Sequence, residues 1–165
     1  MFCETADDVY KCLEDNGIEY ELFKHKPVFS VEDGKDVDFP HPEADAKNLF
    51  LRDAKKRNYY LLTLRDSVSA NLKALQEILD SSRLSFASES DLWEYLRLKP
   101  GSVASFGMLN DVSGKVRFLL DDYFAGKLIG IHPNDNTATV YLQADSLMEL
   151  IRGNGCRAEW CNVGS

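Results

Sequence analysis

Residues 47–64 of this chain read KNLFLRDAKKRNYYLLTL. Two runs rich in Leu, Phe and Tyr, Lys47–Arg52 and Tyr59–Leu64, flank a polar segment, Asp53–Asn58. Short apolar and aromatic runs bounded by polar turn residues are typical of strands. The stretch therefore predicts two strands joined by a turn.

Apolar spacing and capping residues predict the elements on either side of this stretch. Asn71–Leu79 is the clearest helix, because its leucines and isoleucine recur at three- and four-residue spacing. The other predicted helices run from Thr5 to Asn16, from Ser88 or Ser90 to about Leu96, and from Ser146 to Arg152; the other predicted strands are Ile18–Phe23, Val116–Leu120, Leu128–Ile131 and Thr137–Leu142. The last three strands follow one another through short turns, which favours a mixed or antiparallel sheet over a doubly wound one. We expect an α/β protein of the α+β type, folded as a single domain over residues 1–165.

Charge is distributed unevenly along the chain. The formal net charge is −8, and the first fifty residues hold thirteen Asp or Glu against five Lys or Arg. Lys47–Arg57, by contrast, has five basic residues and one acidic residue. This basic segment suits a polyanion, since each Lys or Arg that meets a phosphate releases counterions; the alternative is a solvated charge run beside a strand. The acidic balance argues against a general nucleic-acid-coating protein, but not against a protein that touches one short end of an RNA.

The N-terminal residues and the cysteines bear on the cellular compartment. The first eight residues, MFCETADD, lack the basic head and apolar run of a signal peptide, and no apolar run approaches the roughly 18 residues that span a bilayer. The four cysteines form no Cys-x-x-Cys pair and the three histidines lie far apart, so we expect reduced thiols and no structural zinc site. We expect a cytoplasmic protein with no membrane partner.

Three segments carry residues suited to binding or catalysis. Lys47-Asn48 opens the basic segment, Pro100–Gly107 is a glycine-containing loop, and Gly130–Thr137 joins two predicted strands. Glycine lets backbone N–H groups approach an oxygen atom of a ligand, although a plain connection has the same composition. His132 lies among turn residues, where it either orients a ligand or bonds to nearby backbone. Lys47 equally fits a surface lysine at a strand edge.

Together these segments resemble the family of prolyl-tRNA synthetase editing domains and their freestanding relatives of the YbaK or ProX type. The likeness is closest to the ProX branch, whose members resemble alanyl-tRNA(Pro) deacylases. The matching segments, in chain order, are Lys47–Asp53 with Tyr59–Leu62, Arg83–Ala87, Pro100–Val103 with Phe106-Gly107 and Asn110-Asp111, and His132-Pro133 with Asn136–Thr139. The resemblance implies a mixed sheet curled toward a barrel with surrounding helices. It also implies hydrolysis of the ester that joins a wrong amino acid to tRNA.

The resemblance assigns roles to individual residues. Lys47 matches the family's essential lysine, and we interpret its role as orientation and electrostatics rather than covalent attack. The backbone amides of Gly101, Ser102 and Val103 match the loop that holds the substrate carbonyl. The implied substrate contacts are His132, Ile131 and Asn136, and the implied tRNA contacts are Asn48, Arg52 and Arg83. Relatives usually have proline at the position of Ser105, and we expect serine to leave the loop backbone looser.

The resemblance implies no metal and no cofactor. The implied partner is the acceptor end of an aminoacyl-tRNA, with prolyl-tRNA synthetase or an elongation factor as further candidates. A small pocket would admit alanine and reject proline, and serine, cysteine and threonine are the alternative amino acids. Two other functions stay open on sequence alone: the same fold could sense aminoacyl-tRNA or a free amino acid without hydrolysis, or an acidic domain could bind a protein partner.

Overall fold

The computed structural model describes residues 2–30 and 32–163. Within them the helices are α1 (Ala6–Asp15), α2 (Leu72–Leu79), α3 (Glu89–Leu96) and α4 (Ala144–Gly153). The strands are β1 (Glu21–Lys24), β2 (Ala46–Arg52), β3 (Tyr59–Arg65), β4 (Ser85–Phe86), β5 (Val116–Asp121), β6 (Leu128–Ile131), β7 (Ala138–Gln143) and β8 (Arg157–Cys161). No helix of this described part has the length and apolar character needed to cross a membrane.

The strands form two sheets. The order is β4-β2-β3-β5-β8 in the larger sheet and β1-β7-β6 in the smaller one. The β2–β3 hairpin is antiparallel and pairs Lys47 with Leu64 and Arg52 with Tyr59, as its sequence predicts. β5 lies parallel to both β3 and β8, because long connections that contain helices separate these strands along the chain. The prediction of a mixed α/β fold is confirmed.

The two sheets meet at the beginning of β2. An isolated parallel bridge joins Asp45, the residue before β2, to Gly130 of β6. Over the described residues the two sheets do not close into a barrel. The only feature of these residues that matches the expected curling of the sheet toward a barrel is this bridge between the two sheets. The junction brings the first residues of β2 next to the edge formed by β6 and β7.

The central strand β3 is buried on both faces. Tyr59 and Leu61 pack into the core that the two sheets share, whereas Tyr60, Leu62 and Leu64 pack into the core under α2. Successive side chains of a strand point to opposite faces, so a strand that is covered on both sides is apolar at nearly every position. This double burial holds the hairpin rigidly and fixes where the two ends of β2 lie.

Several elements differ from the sequence-based expectation. The sequence pattern predicts neither β4 nor β8, and both strands are partly exposed. α4 begins at Ala144 rather than Ser146, and no side chain caps it. Its first amide instead donates to the carbonyl of Lys127 at 2.9 Å. That partner is distant in sequence, so local spacing gives no sign of it.

Candidate active site

A cavity of about 370 Å³ opens where the start of β2, the loop after α3 and the β6–β7 edge meet. Lys47, Asn48, Gly101, Val103 and His132 line this cavity. They come from the three segments that the sequence pattern marks as candidates for binding or catalysis. The fold therefore brings residues that are far apart in the chain to one concave site.

The glycine loop leaves two backbone donors available. Gly101 has a φ of +85°, in the left-handed region that favours glycine. Among the described residues, the amides of Gly101 and Val103 donate to no acceptor. The amide of Ser102 donates to the carbonyl of Lys99 at 3.1 Å. The expected row of three donors therefore does not hold for Ser102, because a turn hydrogen bond already occupies its N–H group.

The residues around His132 follow the alternation of strand β6. Gly130 and His132 line the cavity, whereas Ile131 is 1% exposed and packs into the core that the sheets share. The expected contact between Ile131 and the substrate therefore does not hold. Asn136 supports the loop from outside the cavity lining, since its Nδ2 donates to the carbonyl of Gly101 at 3.4 Å.

The ring of His132 is bonded through one nitrogen and leaves the other without a partner among the described residues. Its Nδ1 lies 2.8 Å from the carbonyl oxygen of Ala138, and since a carbonyl only accepts, Nδ1 carries the proton. Burial lowers the pKa of His132, and the nearby ring of His25 acts in the same direction. The neutral ring that this shift favours has an unprotonated Nε2, which can accept a hydrogen bond from a ligand. On sequence alone, His132 either bonds to nearby backbone or orients a ligand. In the structure the same ring bonds to the backbone through Nδ1 and lines the cavity.

Two carboxylates that the sequence reasoning missed lie beside Lys47. Asp45 and Asp66 line the cavity, and the Asp66 amide donates to the Asp45 carbonyl at 3.2 Å. This bond continues the β2–β3 pairing by one residue. Asp45 precedes Lys47 by two positions, and residues with this spacing in a strand lie on the same face. This spacing is the signal in the sequence that could have identified Asp45 as a neighbour of Lys47.

Burial dominates the ionisation of these carboxylates. It raises the pKa of Asp45 to about 7, and the charge of Asp66 adds to this shift. It also raises the pKa of Asp66, while the positive charge of Lys47 acts in the opposite direction. Lys47 itself forms no ion pair with any described residue, so its ammonium group is available to a ligand. Across the described residues, no group of three or more His, Cys, Asp or Glu is placed to hold a metal ion.

Ser105 joins the end of the glycine loop to two strands. It is fully buried and opens the 3₁₀ helix Ser105–Asn110. Its hydroxyl donates to Oδ1 of Asn48 at 3.0 Å and lies 2.8 Å from the hydroxyl of Thr63. Side-chain hydrogen bonds from Ser105 to β2 and β3 thus connect the end of the loop to both strands, which the expectation of a looser backbone did not include.

Residues before β2 supply the outer wall of the cavity, which the sequence reasoning also missed. Val28, Phe29 and Phe39 line it. Phe29 is 67% exposed, yet its ring lies so close to Gly101 that a Cβ added there would stand 2.7 Å from Phe29 Cδ1. An exposed aromatic side chain against a loop with free amides gives the cavity an apolar wall beside its polar one. No sequence pattern in this segment marks it as part of a site.

The remaining tRNA-binding candidates lie at the other end of the hairpin. Arg52 ends β2, five residues from Lys47, which is about 17 Å along a strand. Arg83 is exposed just before β4, which pairs with that end of β2. The Ala54 amide donates to the Ser82 hydroxyl at 3.1 Å and so joins the hairpin turn to the segment around Arg83. We name this region the distal basic surface; it comprises Arg52, Lys55, Lys56, Arg57 and Arg83.

Sequence comparisons identify relatives of this chain. Residues 25–150 match the family model of the aminoacyl-tRNA editing domain. The chain is 40% identical over 156 residues to the prolyl-tRNA editing protein ProX of Acetoanaerobium sticklandii, covering 94% of this chain and 95% of that protein. It is also 32% identical to the prolyl-tRNA synthetase associated domain-containing protein 1 of Mus musculus, with 84% of each chain covered.

Solved structures share the fold at much lower identity. A crystal structure provisionally described as a trans-editing enzyme for prolyl tRNA synthetase superposes with a TM-score of 0.71 at 15% identity, covering 97% of this chain and 96% of that one. A scaffold from a study of epitope backbone grafting superposes with a TM-score of 0.74 at 14% identity, with the same coverage of 97% and 96%. The family-model match and the identity to the bacterial editing protein together establish that this chain belongs to the aminoacyl-tRNA editing domain family.

Proposed function

We propose that the protein removes a wrongly attached amino acid from tRNA by hydrolysing the ester bond at the tRNA 3′ end, and that alanine on tRNA(Pro) is its main substrate. The observation that carries the proposal is one cavity lined by Lys47, by the unengaged amides of Gly101 and Val103, and by His132. The relative at 40% identity is named a prolyl-tRNA editing protein, which supports the same substrate class here.

The chemistry of the ester suits these groups. An aminoacyl ester is already activated, so hydrolysis needs a positioned water, a polarised carbonyl and a stabilised oxyanion rather than a strong nucleophile. The amides of Gly101 and Val103 donate to the oxyanion, and one such donor contributes about 2.7–4 kcal/mol in other enzymes. Lys47 places a positive charge beside the ester or the terminal phosphate. The free Nε2 of His132 accepts a hydrogen bond from the substrate and orients it.

Selection of the amino acid is by size. The apolar walls from Phe29 and Val103 accept a small side chain, which favours alanine, with serine, cysteine and threonine as alternatives. A one-carbon difference in such a pocket gives only about 10–200-fold discrimination. A synthetase therefore attaches a similar but wrong amino acid to some tRNA molecules, and a separate editing site of this kind hydrolyses those products.

The charge pattern suggests how the tRNA lies on the protein. With its 3′ end at Lys47, the acceptor stem reaches Arg52 and Arg83 on the distal basic surface, about 17 Å away along β2. Asn48 contacts the terminal nucleotide. The remaining surface is acidic, since the whole chain has a net charge of −8, and it repels the other phosphates. Prolyl-tRNA synthetase or an elongation factor would deliver such a substrate in the cytoplasm.

A deacylation assay over a panel of mischarged tRNAs tests the proposal. We expect the wild type to release alanine from tRNA(Pro), and Lys47→Ala to slow release at least about 100-fold while the protein stays folded. Lys73→Ala is the matched control, since Lys73 is exposed on α2 away from the cavity. Wild-type turnover by Lys47→Ala would refute the assignment. Tight tRNA binding by the wild type with no release of any amino acid would support the sensing module instead.

A further inference from the structure

A buried triangle of hydrogen bonds lies behind the cavity. Oδ1 of Asn48 accepts from the Thr63 hydroxyl at 2.6 Å and from the Ser105 hydroxyl at 3.0 Å, and the two hydroxyl oxygens lie 2.8 Å apart. Thr63 and Ser105 are both 0% exposed. The three residues come from β2, from β3 and from the end of the glycine loop. The triangle therefore joins the strand that presents Lys47 to the loop that presents the free amides.

The hydrogen bonds of the triangle place the carboxamide oxygen of Asn48 on its buried side. The triangle has two hydroxyl protons, and the Asn48 oxygen contributes none. Both hydroxyls donate to that oxygen, so both protons lie on its side and the 2.8 Å approach of the two hydroxyl oxygens has no proton of its own. The Nδ2 group lies on the opposite side of the carboxamide, and within the described residues no atom accepts a hydrogen bond from it. Since Asn48 lines the cavity, its two N–H groups are left for a ligand.

We propose that Thr63 and Ser105 are positioning residues, which hold the Asn48 carboxamide so that its N–H groups donate to an oxygen of the 3′-terminal aminoacyl nucleoside. The inference deepens the proposed function and rests on it. Both hydroxyls are buried and donate to the same oxygen, and a donor that loses its acceptor in a dry site is costly, so the pair holds the carboxamide oxygen of Asn48 between them.

Thr63 offers a matched pair of variants. Thr63→Val keeps the side-chain shape and removes the hydroxyl, whereas Thr63→Ser keeps the hydroxyl and removes a methyl group. We expect Thr63→Val and Ser105→Ala each to slow alanine release about five- to tenfold, the equivalent of one neutral hydrogen bond, and Thr63→Ser to restore most of the rate. Binding can be measured with an alanyl-adenosine analogue that has an amide in place of the ester. We expect Thr63→Val and Ser105→Ala to weaken the binding of this analogue by a similar factor.

A double-mutant cycle separates positioning from general destabilisation. In an Asn48→Ala background, Thr63→Val and Ser105→Ala are expected to have no further effect on analogue binding. Asn48→Asp keeps an acceptor for both hydroxyls but has no N–H group, so it should fold and bind the analogue at least about tenfold more weakly. Equal effects of Ser105→Ala in the wild type and in Asn48→Ala, or wild-type binding by Asn48→Asp, would overturn the inference. If the wild type binds the analogue but releases no amino acid, hydrolysis fails as the function, and the binding cycle still decides the role of the triangle.

Discussion

Gly101→Ala tests the site most directly, because the structure predicts two separate costs of this substitution. The φ of +85° at Gly101 is unfavourable for alanine, by about 1–2 kcal/mol. The new Cβ would also lie 2.7 Å from Phe29 Cδ1. Phe29 is 67% exposed, so its ring can turn aside at little cost in packing. We expect a loss of about 1–2 kcal/mol in the free energy of unfolding, or roughly 2–8 °C in the midpoint.

The loss of activity should be much larger than the loss of stability. If the strained loop moves so that one amide no longer reaches the oxyanion, the rate falls by about 10²–10³. Gly114→Ala is the matched control, since Gly114 has a φ of +68° and a Cβ there would meet no atom within 4 Å. Alanine at Gly114 should have a similar unfavourable conformational energy of the backbone, but at a site away from the cavity. We expect it to lose similar stability and to keep its deacylation rate.

The assays are urea unfolding and the initial rate of alanine release from mischarged tRNA(Pro), measured on both glycine variants. A Gly101→Ala protein that unfolds as early as Gly114→Ala but turns over like the wild type would show that the loop amides do not hold the oxyanion. A Gly101→Ala protein with no loss of stability would contradict the left-handed geometry of the loop.

The other predictions concern pH and salt. Asp45 has its pKa raised to about 7 by burial, with Asp66, Glu43, His41 and Tyr141 around it, so the folded state binds its proton more tightly than the unfolded state. The ionised Asp45 carboxylate destabilises the folded state; this effect is absent below about pH 4 and complete above about pH 7. Asp45→Asn should therefore raise the free energy of unfolding at pH 8 by about 1–2 kcal/mol, a figure discounted because Asp45 is only half-buried. At pH 4 the same substitution should hardly change the free energy of unfolding. Urea unfolding at the two pH values checks this, and equal changes at both would contradict it. Arg52→Ala and Arg83→Ala should each reduce the slope of log affinity for tRNA against log salt by about one. Unchanged slopes in a salt titration would exclude phosphate contacts by these arginines.

Local sequence patterns determined most of the secondary structure. The polar and apolar runs from Lys47 to Leu64 predicted β2 and β3 to within one residue at each end. The predicted helices begin at Thr5, at Asn71 and at Ser88 or Ser90, and the side chains of Thr5, Asn71 and Ser88 accept hydrogen bonds from the first turns of α1, α2 and α3. These features could be predicted because helix caps, and short apolar runs bounded by turn residues, depend on residues only a few positions apart.

Part of the site could be predicted in the same way, and part could not. Lys47, Asn48, Gly101, Val103 and His132 belong to sequence segments that resemble known editing domains, and all five line the cavity. What the segments could not show is which backbone and side-chain groups remain free. That depends on hydrogen bonds to partners elsewhere, such as the bond that removes the Ser102 amide from the set of donors.

The sequence by itself thus determined the hairpin, the capped helices and the family to which the chain belongs. Only the tertiary structure decided that β5 lies between β3 and β8, that Asp45 pairs with Asp66, and that Ser105 reaches Asn48. The physical reason is that strand pairing and buried hydrogen bonds depend on which distant surfaces are covered together. No spacing along the chain encodes such a contact, because its free energy comes from removing both partners from water at the same place.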